Sequence, residues 1–449
     1  MQVNLTGFVH KILDRIIPGM LRPSWESIRG SNIGTRLVRG AFWSTLGAGG
    51  SQVLMLLGSI IVARILGREQ FGQYGILMTT VGMFGAFAGF GLGTTATKFV
   101  AKYKKNEPQQ AGRIIALCSL VAISTGALAS IVLLIIAPLL SGKALAAPDL
   151  SNLLRLATGI VFFGAINSSQ FGVLAGFEAF RAIARINILI GIISFILVAS
   201  FTLAWGLTGS LAAQVLTLGT ACVITNLSVR SEAMRNGVPV MYAGCMAERK
   251  VLFSFSLPAV MSGIMVTPVS WICSTILVNQ PEGYAEMGIF NAALSWQRAL
   301  LFLPGALGAV ALPMLAELHG ANERGKYSKA LRYNVLLNGG IALAVFLVIA
   351  IMSKFIMRSY GASFETGYSV LILLGISAIL IAVGNVTGNA IASAGNMWVG
   401  FMFNAMWGVA YIGFASLLAP QQGAFGLAVS NLAAYSMLSL GLVVYLKRL

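Results

Sequence analysis

Residues 114–140 read IIALCSLVAISTGALASIVLLIIAPLL, without one charged side chain. At 1.5 Å per residue, a helix of that length spans about 40 Å, more than the roughly 30 Å of a bilayer's hydrocarbon core. A segment in hydrocarbon has to satisfy its own backbone hydrogen bonds, so the stretch reads as a helix. Between Ala41 and Tyr445 the same pattern recurs about twelve times, with nearly all charge confined to the connectors. Spans are expected near 41–63, 74–96, 114–140, 155–176, 184–205 and 207–228, then 252–278, 288–315, 334–356, 368–393, 398–418 and 424–446. A composition of 57% hydrophobic and 10% charged residues, with a mean hydropathy of +0.85, lies outside the soluble range. The expected fold class is an all-α polytopic membrane protein.

The net charge of +17 suggests a nucleic-acid partner until its distribution is considered. With the spans above, twenty-three Lys and Arg residues fall on the side of the N-terminus and six on the other, with Arg298 left inside a span. Excess Lys and Arg mark the cytoplasmic side, so both termini are expected there and no nucleic-acid partner is needed. No cleavable signal peptide is expected, because the first long apolar run begins near Ala41 without a small-residue cleavage site. Cys118, Cys222, Cys245 and Cys273 show no paired spacing and read as small apolar fillers. No metal or other cofactor is indicated.

Along the chain, 1–40 forms a cytoplasmic N-terminal segment in which Val9, Ile12, Leu13, Ile16, Ile17 and Met20 recur at helical spacing, as in an interfacial amphipathic helix. Residues 41–228 form a first lobe of six helices, 229–251 a cytoplasmic connector and 252–449 a second lobe of six. The division rests on a weak repeat. Glu69–Tyr74 has a counterpart in Ala285–Phe290, Leu92-Gly93 in Leu307-Gly308, Asn187 in Asn404 and Gly209 in Gly426. Six is even, so both lobes enter the membrane in one orientation, related by an axis along its normal, with a central cavity between them.

The stretch Ala63-Arg64-Ile65-Leu66-Gly67-Arg68-Glu69-Gln70-Phe71-Gly72-Gln73-Tyr74-Gly75 carries a resemblance. It resembles the A-R-x-L-G-x-x-x-F-G-x-Y pattern of the Wzx-type polysaccharide (O-antigen) flippases, within the superfamily that includes the MATE exporters and lipid II flippases. Arg39–Trp43, Gly89–Gly93, Leu174–Phe180 and Phe255–Ala259 echo the same family, so the likeness extends over most of the chain from Arg36. It implies a MATE-like fold, a bacterial inner-membrane location and alternating-access translocation of an undecaprenyl-pyrophosphate-linked oligosaccharide. Implied partners are that substrate, membrane lipid, and the polysaccharide polymerase and chain-length machinery. The residues themselves read first as a tight external turn, in which Gly67 and Gly72 allow close helix approach.

Arg298 is the foremost candidate for substrate binding. Asn291, Ser295 and Arg298 are spaced i, i+4 and i+7 and so share one helical face, with Gln297 beside them. An arginine at depth costs a few kcal/mol and needs a cavity or a partner, and its guanidinium can hold phosphate oxygens through paired hydrogen bonds. A structural arginine bonded to helix carbonyls is the plain alternative. Asn167 and Gln170, with Ser168 and Ser169, supply amides and hydroxyls suited to sugars, although helix-to-helix hydrogen bonding uses the same groups. Lys98 and Arg181, with Lys102, Glu178 and Arg185, stand at the cytoplasmic mouth, where they either gather a pyrophosphate headgroup or anchor span ends in anionic lipid.

No Asp or Glu lies clearly inside a span, which weighs against a proton-coupled exporter of cationic drugs. There is no Walker loop, no His or Cys ligand pattern, and no external carboxylate pair for glycosyl transfer. The chain therefore reads as a transporter, with a multidrug exporter and then a membrane polymerase or glycosyltransferase as the other readings.

Overall fold

Where glycine interrupts the helices decides the topology. The structure, a computed structural model, describes residues 32–249, 265–320, 324–393 and 397–448, nearly all of them helical and none in a strand. In chain order the helices are α1 (Asn32–Gly89), α2 (Leu92–Tyr103), α3 (Pro108–Leu139), α4 (Ser151–Gly176), α5 (Phe180–Arg235), α6 (Val266–Val278), α7 (Gly283–Gly320), α8 (Arg324–Ile351), α9 (Ser353–Tyr360), α10 (Tyr368–Ser393) and α11 (Met397–Arg448). Among the described residues, seven helical segments are long and apolar enough to cross a membrane, and α6 is a shorter apolar helix.

Straight, the 58 residues of α1 would extend about 87 Å, far beyond a bilayer. The helix turns back at Gly67, whose φ of 73° and ψ of 178° are open almost only to glycine. Breaks at Gly206 (φ 56°, ψ −134°) in α5 and Gly423 (φ 56°, ψ −133°) in α11 also divide one helix into two antiparallel spans. These two glycines are 217 residues apart and share one backbone conformation. Three residues beyond each, Gly209 and Gly426 lie against the carbonyls of Phe201 and Leu418, again 217 apart. One hairpin therefore occurs twice, at the offset that relates Gly209 to Gly426 in the sequence.

The first lobe joins α5 to α1 and α4 to α3; the second packs α10 against α7, α8 and α11, with α6 on α11. Hydrophobicity does not drive such packing inside lipid, so close backbone approach has to. Gly172 of α4 rides directly on Gly93 of α2, and Gly159 on Val215 of α5. Gly85 and Gly89 have nothing within 4 Å of a Cβ placed on them. They border a groove.

That groove marks a difference from the continuous span expected over 74–96. Phe90 (φ 41°) and Gly91 (φ 61°) are both left-handed, so the helix ends at Gly89 and α2 starts afresh. The break frees backbone groups that have to be satisfied. The Thr125 hydroxyl donates to the Ala88 carbonyl (2.8 Å), and the hydroxyls of Thr94 and Thr95 donate to Gly91 O (2.9 and 3.0 Å).

Two further elements differ from the sequence expectation. α9 is a short helix after α8 that leaves Phe355 exposed and buries Tyr360. The expected 229–251 connector begins as helix, since α5 continues to Arg235. Its turn at Cys245–Arg249 is tied back to α3, where Glu248 accepts from Gln110 (2.9 Å) and Arg113 (3.3 Å). The N-terminal amphipathic segment over residues 9–20, and Pro258, lie outside the described residues.

Candidate functional site

A seam between the lobes frames the site. Gly72 on α1 and Gly288 on α7 meet with no side chain between them; a Cβ on Gly72 would overlap Tyr284 O, and one on Gly288 would overlap Arg68 O. The contact is reciprocal at an offset of 216, which places a pseudo-two-fold axis between the two glycines. Around it, Arg68 pairs with Glu286 and donates to Ala285 O (3.0 Å), while the other Glu286 oxygen accepts from Ala424 N–H (2.8 Å) just past the α11 break. Arg64 donates to Ser359 O (2.6 Å), and the hydroxyls of Ser59 and Tyr360 lie 3.0 Å apart. Tyr284 and Asn279 donate to the carbonyls of Leu145 (2.6 Å) and Ala144 (2.7 Å). Phe71, Tyr360 and Phe364 fill the space between, with ring centroids 6.0–6.2 Å apart. The lobes are thus pinned at the end where α1 turns.

The seam continues inward through Gly75, which lies against Asn291 of α7. Arg298 is two turns further, about 22 Å along the helix from Gly283, near the middle of a bilayer-spanning path. Its side chain is exposed, yet it lies deep among protein atoms and within electrostatic reach of Tyr74 on α1. Phe302, one turn beyond, packs its ring 3.3 Å from a Cβ placed on Gly49, so α7 touches both halves of α1, at Asn291 and at Phe302. Tyr74 in turn is held from within its own lobe, its hydroxyl accepting from Gln214 Nε2 of α5 (3.1 Å).

The other residues picked out in the sequence fall into separate places. Ser295 shares the Arg298 face but spends its hydroxyl on Asn291 O (3.0 Å). Gln297 points elsewhere, buried and donating to Leu374 O of α10 (2.9 Å), where it joins two helices of one lobe. Asn167 and Gln170 lie on α4 inside the first lobe, and Asn167 Oδ1 and Gln170 Oε1 are buried without a hydrogen-bond partner among the described residues. Lys98 and Arg181 are exposed at the end opposite the seam. Trp271 of α6 donates its indole N–H across the lobes to Thr80 (2.9 Å).

Sequence reading passed over three residues. Tyr74 lies in the loop motif and Gln214 within the expected span 207–228, but nothing in one sequence pairs them. Lys104 was counted only as a connector charge; it is buried, donating to Gly176 O (3.0 Å) and Glu178 (2.9 Å) and fixing the turn between α4 and α5. Beside the α1–α2 break lies a cavity of about 490 Å³ lined by Gly85, Gly89, Gly91, Thr94, Ser168 and Phe171 among others.

Comparison with known proteins bears on the family and the fold. The profile of a family described as polysaccharide biosynthesis protein matches residues 37–319. The EPS I polysaccharide export inner membrane protein EpsE of Ralstonia solanacearum is 27% identical over 413 residues, 88% of this chain and 91% of the relative. Its counterpart in Ralstonia nicotianae is 31% identical over 195 residues, so that alignment spans 43% of this chain and 44% of the relative. Among solved structures, an inward-facing MATE-family multidrug resistance transporter of the MOP superfamily superposes with a TM-score of 0.72 at 16% identity, over 89% of this chain and 95% of that one. The lipid II flippase MurJ in an inward closed conformation gives 0.69 at 13% identity, over 90% and 87%. The fold is that of the MATE and lipid-flippase transporters, and with more than half of its length under the family profile, the chain belongs to the polysaccharide biosynthesis protein family.

Proposed function

We propose that the protein flips a polyisoprenoid-pyrophosphate-linked oligosaccharide across the bacterial inner membrane for surface polysaccharide assembly, by alternating access. A pyrophosphate and its sugars cannot cross hydrocarbon unaided, because every charge and hydroxyl would lose its hydration. The observation that carries the reading is Arg298: a guanidinium exposed at mid-depth, just below the point where the lobes meet. Arginine binds phosphate oxygens in pairs, and its charge is fixed at any physiological pH. The isoprenoid tail stays in lipid while the head travels between the lobes.

In this reading the pinned end faces the periplasm, both termini are cytoplasmic, and Lys98 and Arg181 meet the substrate headgroup at the cytoplasmic leaflet. The names of the EpsE relatives and of the lipid II flippase support an inner-membrane exporter of glycan, and the polymerase and chain-length machinery would receive its product. The drug-exporter reading shares the fold, but a cation at the centre of the passage repels cationic drugs.

The test is complementation in a strain lacking the gene. Arg298→Ala should abolish surface polysaccharide at unchanged protein abundance, with lipid-linked repeat units accumulating inside. Full polysaccharide from that variant removes the assignment.

A further inference from the structure

Tyr74 and Arg298 belong to different lobes, and the hydrogen bond that holds Tyr74 has a direction. Gln214 Nε2 donates to the Tyr74 oxygen at 3.1 Å, so the hydroxyl proton is not spent on Gln214. A phenol that accepts from one neighbour can still donate to another. The ring is fixed as well, stacked on Phe71 with centroids 6.1 Å apart and planes 19° apart. The next residue, Gly75, contacts Asn291, which shares the helical face of Arg298. The hydroxyl is therefore carried one residue from the α1–α7 contact at Gly75 and Asn291, and Tyr74 lies within electrostatic reach of Arg298.

We infer that Tyr74 is a further anion-binding residue and Gln214 its positioning residue, so that the phosphate site is built from both lobes: a guanidinium from α7 and an oriented phenolic O–H from α1. The ligand class is a phosphate or pyrophosphate monoester or diester. This rests on the reading of Arg298 as the phosphate anchor. A site with one donor on each lobe responds to their relative movement: parting α1 from α7 at the pinned end separates the donors and weakens the grip, which is what release on the far side requires. Gln214 never touches the anion. It acts by keeping the Tyr74 proton turned outward.

The experiment is binding of a short-chain polyprenyl pyrophosphate, without sugar, to the purified full-length protein in detergent. Wild type is compared with Tyr74→Phe, Gln214→Leu, the double variant and Arg298→Gln. Each of the first two should weaken binding about tenfold, the scale of one charge-assisted hydrogen bond. The double variant should be no weaker than Tyr74→Phe alone, because Gln214 works only through the hydroxyl. A purely structural tether would lower thermal stability and leave affinity unchanged, so melting temperature is recorded for every variant. Gln214→Glu provides a second handle: its carboxylate accepts from Tyr74, turns the proton away and should weaken binding more than Gln214→Leu. Loss of binding in Arg298→Gln with no effect of Tyr74→Phe or Gln214→Leu overturns this inference alone. No binding to wild type, or full binding to Arg298→Gln, overturns the anchor reading and this inference together.

Discussion

Gly72 and Gly288 touch across the lobe boundary, each occupying the only space in which the other helix's backbone could run. The contact exists because neither residue has a Cβ, and it brings α1 and α7 close enough for Arg68 to reach Glu286. Alanine at either position would overlap backbone, which a rotamer change cannot relieve. Gly72→Ala or Gly288→Ala should therefore force the pinned end apart, at a cost of about 1–3 kcal/mol. Thermal unfolding in detergent measures it. An unchanged melting temperature would mean that the glycines are not packed as described.

The Arg68–Glu286 pair also serves the break in α11, since the second Glu286 oxygen accepts from Ala424 N–H. Both side chains are about one-quarter exposed, so solvent weakens the pair, and removing either should cost about 2 kcal/mol. The charge-reversed double variant Arg68→Glu with Glu286→Arg should recover only part of the loss. Arginine at 286 cannot accept from Ala424, so full recovery would show that this backbone bond adds nothing.

At the opposite end, Lys104 reaches Gly176 O and Glu178 together, and Glu178 has a left-handed φ of 60°. Lys104→Met should lower stability by about 1–2 kcal/mol, because a buried carbonyl and a partly exposed carboxylate both lose their donor. Lys105→Gln, a change in the exposed neighbour, should be neutral. Equal effects at the two positions would contradict the assigned pairing.

Membrane orientation gives a test independent of function. All four native cysteines are buried, so an introduced thiol stands out. Lys354→Cys, exposed on α9, should react with a membrane-impermeant maleimide in cells whose outer membrane is permeabilised. Lys105→Cys should react only after the inner membrane is opened. The reverse pattern would invert the topology.

Much of the fold was legible because lipid imposes a simple code: long apolar runs become helices, and Lys and Arg mark the ends. The repeat was faint for a physical reason. What the lobes share is backbone geometry at Gly206 and Gly423 and close approach at Gly209 and Gly426, which constrains few side chains. The break at Phe90 and Gly91 was hidden, since phenylalanine gives no warning of a positive φ. In the candidate site, Arg298 was recognisable from its charge inside an apolar run. Gln297 was misleading because neighbouring residues on a helix face different ways, and its amide is committed to Leu374. Tyr74 and Gln214 are 140 residues apart, so only the tertiary fold pairs them.

Translocation measured with purified components tests the central claim most directly. Proteoliposomes containing the wild-type chain should move a fluorescent, short-chain polyprenyl-pyrophosphate disaccharide between leaflets faster than protein-free vesicles. Arg298→Ala should fall to the protein-free rate, and Arg298→Lys, with a point charge but no paired donors, should lie between. An Arg298→Ala variant that flips this substrate as fast as wild type would contradict the account.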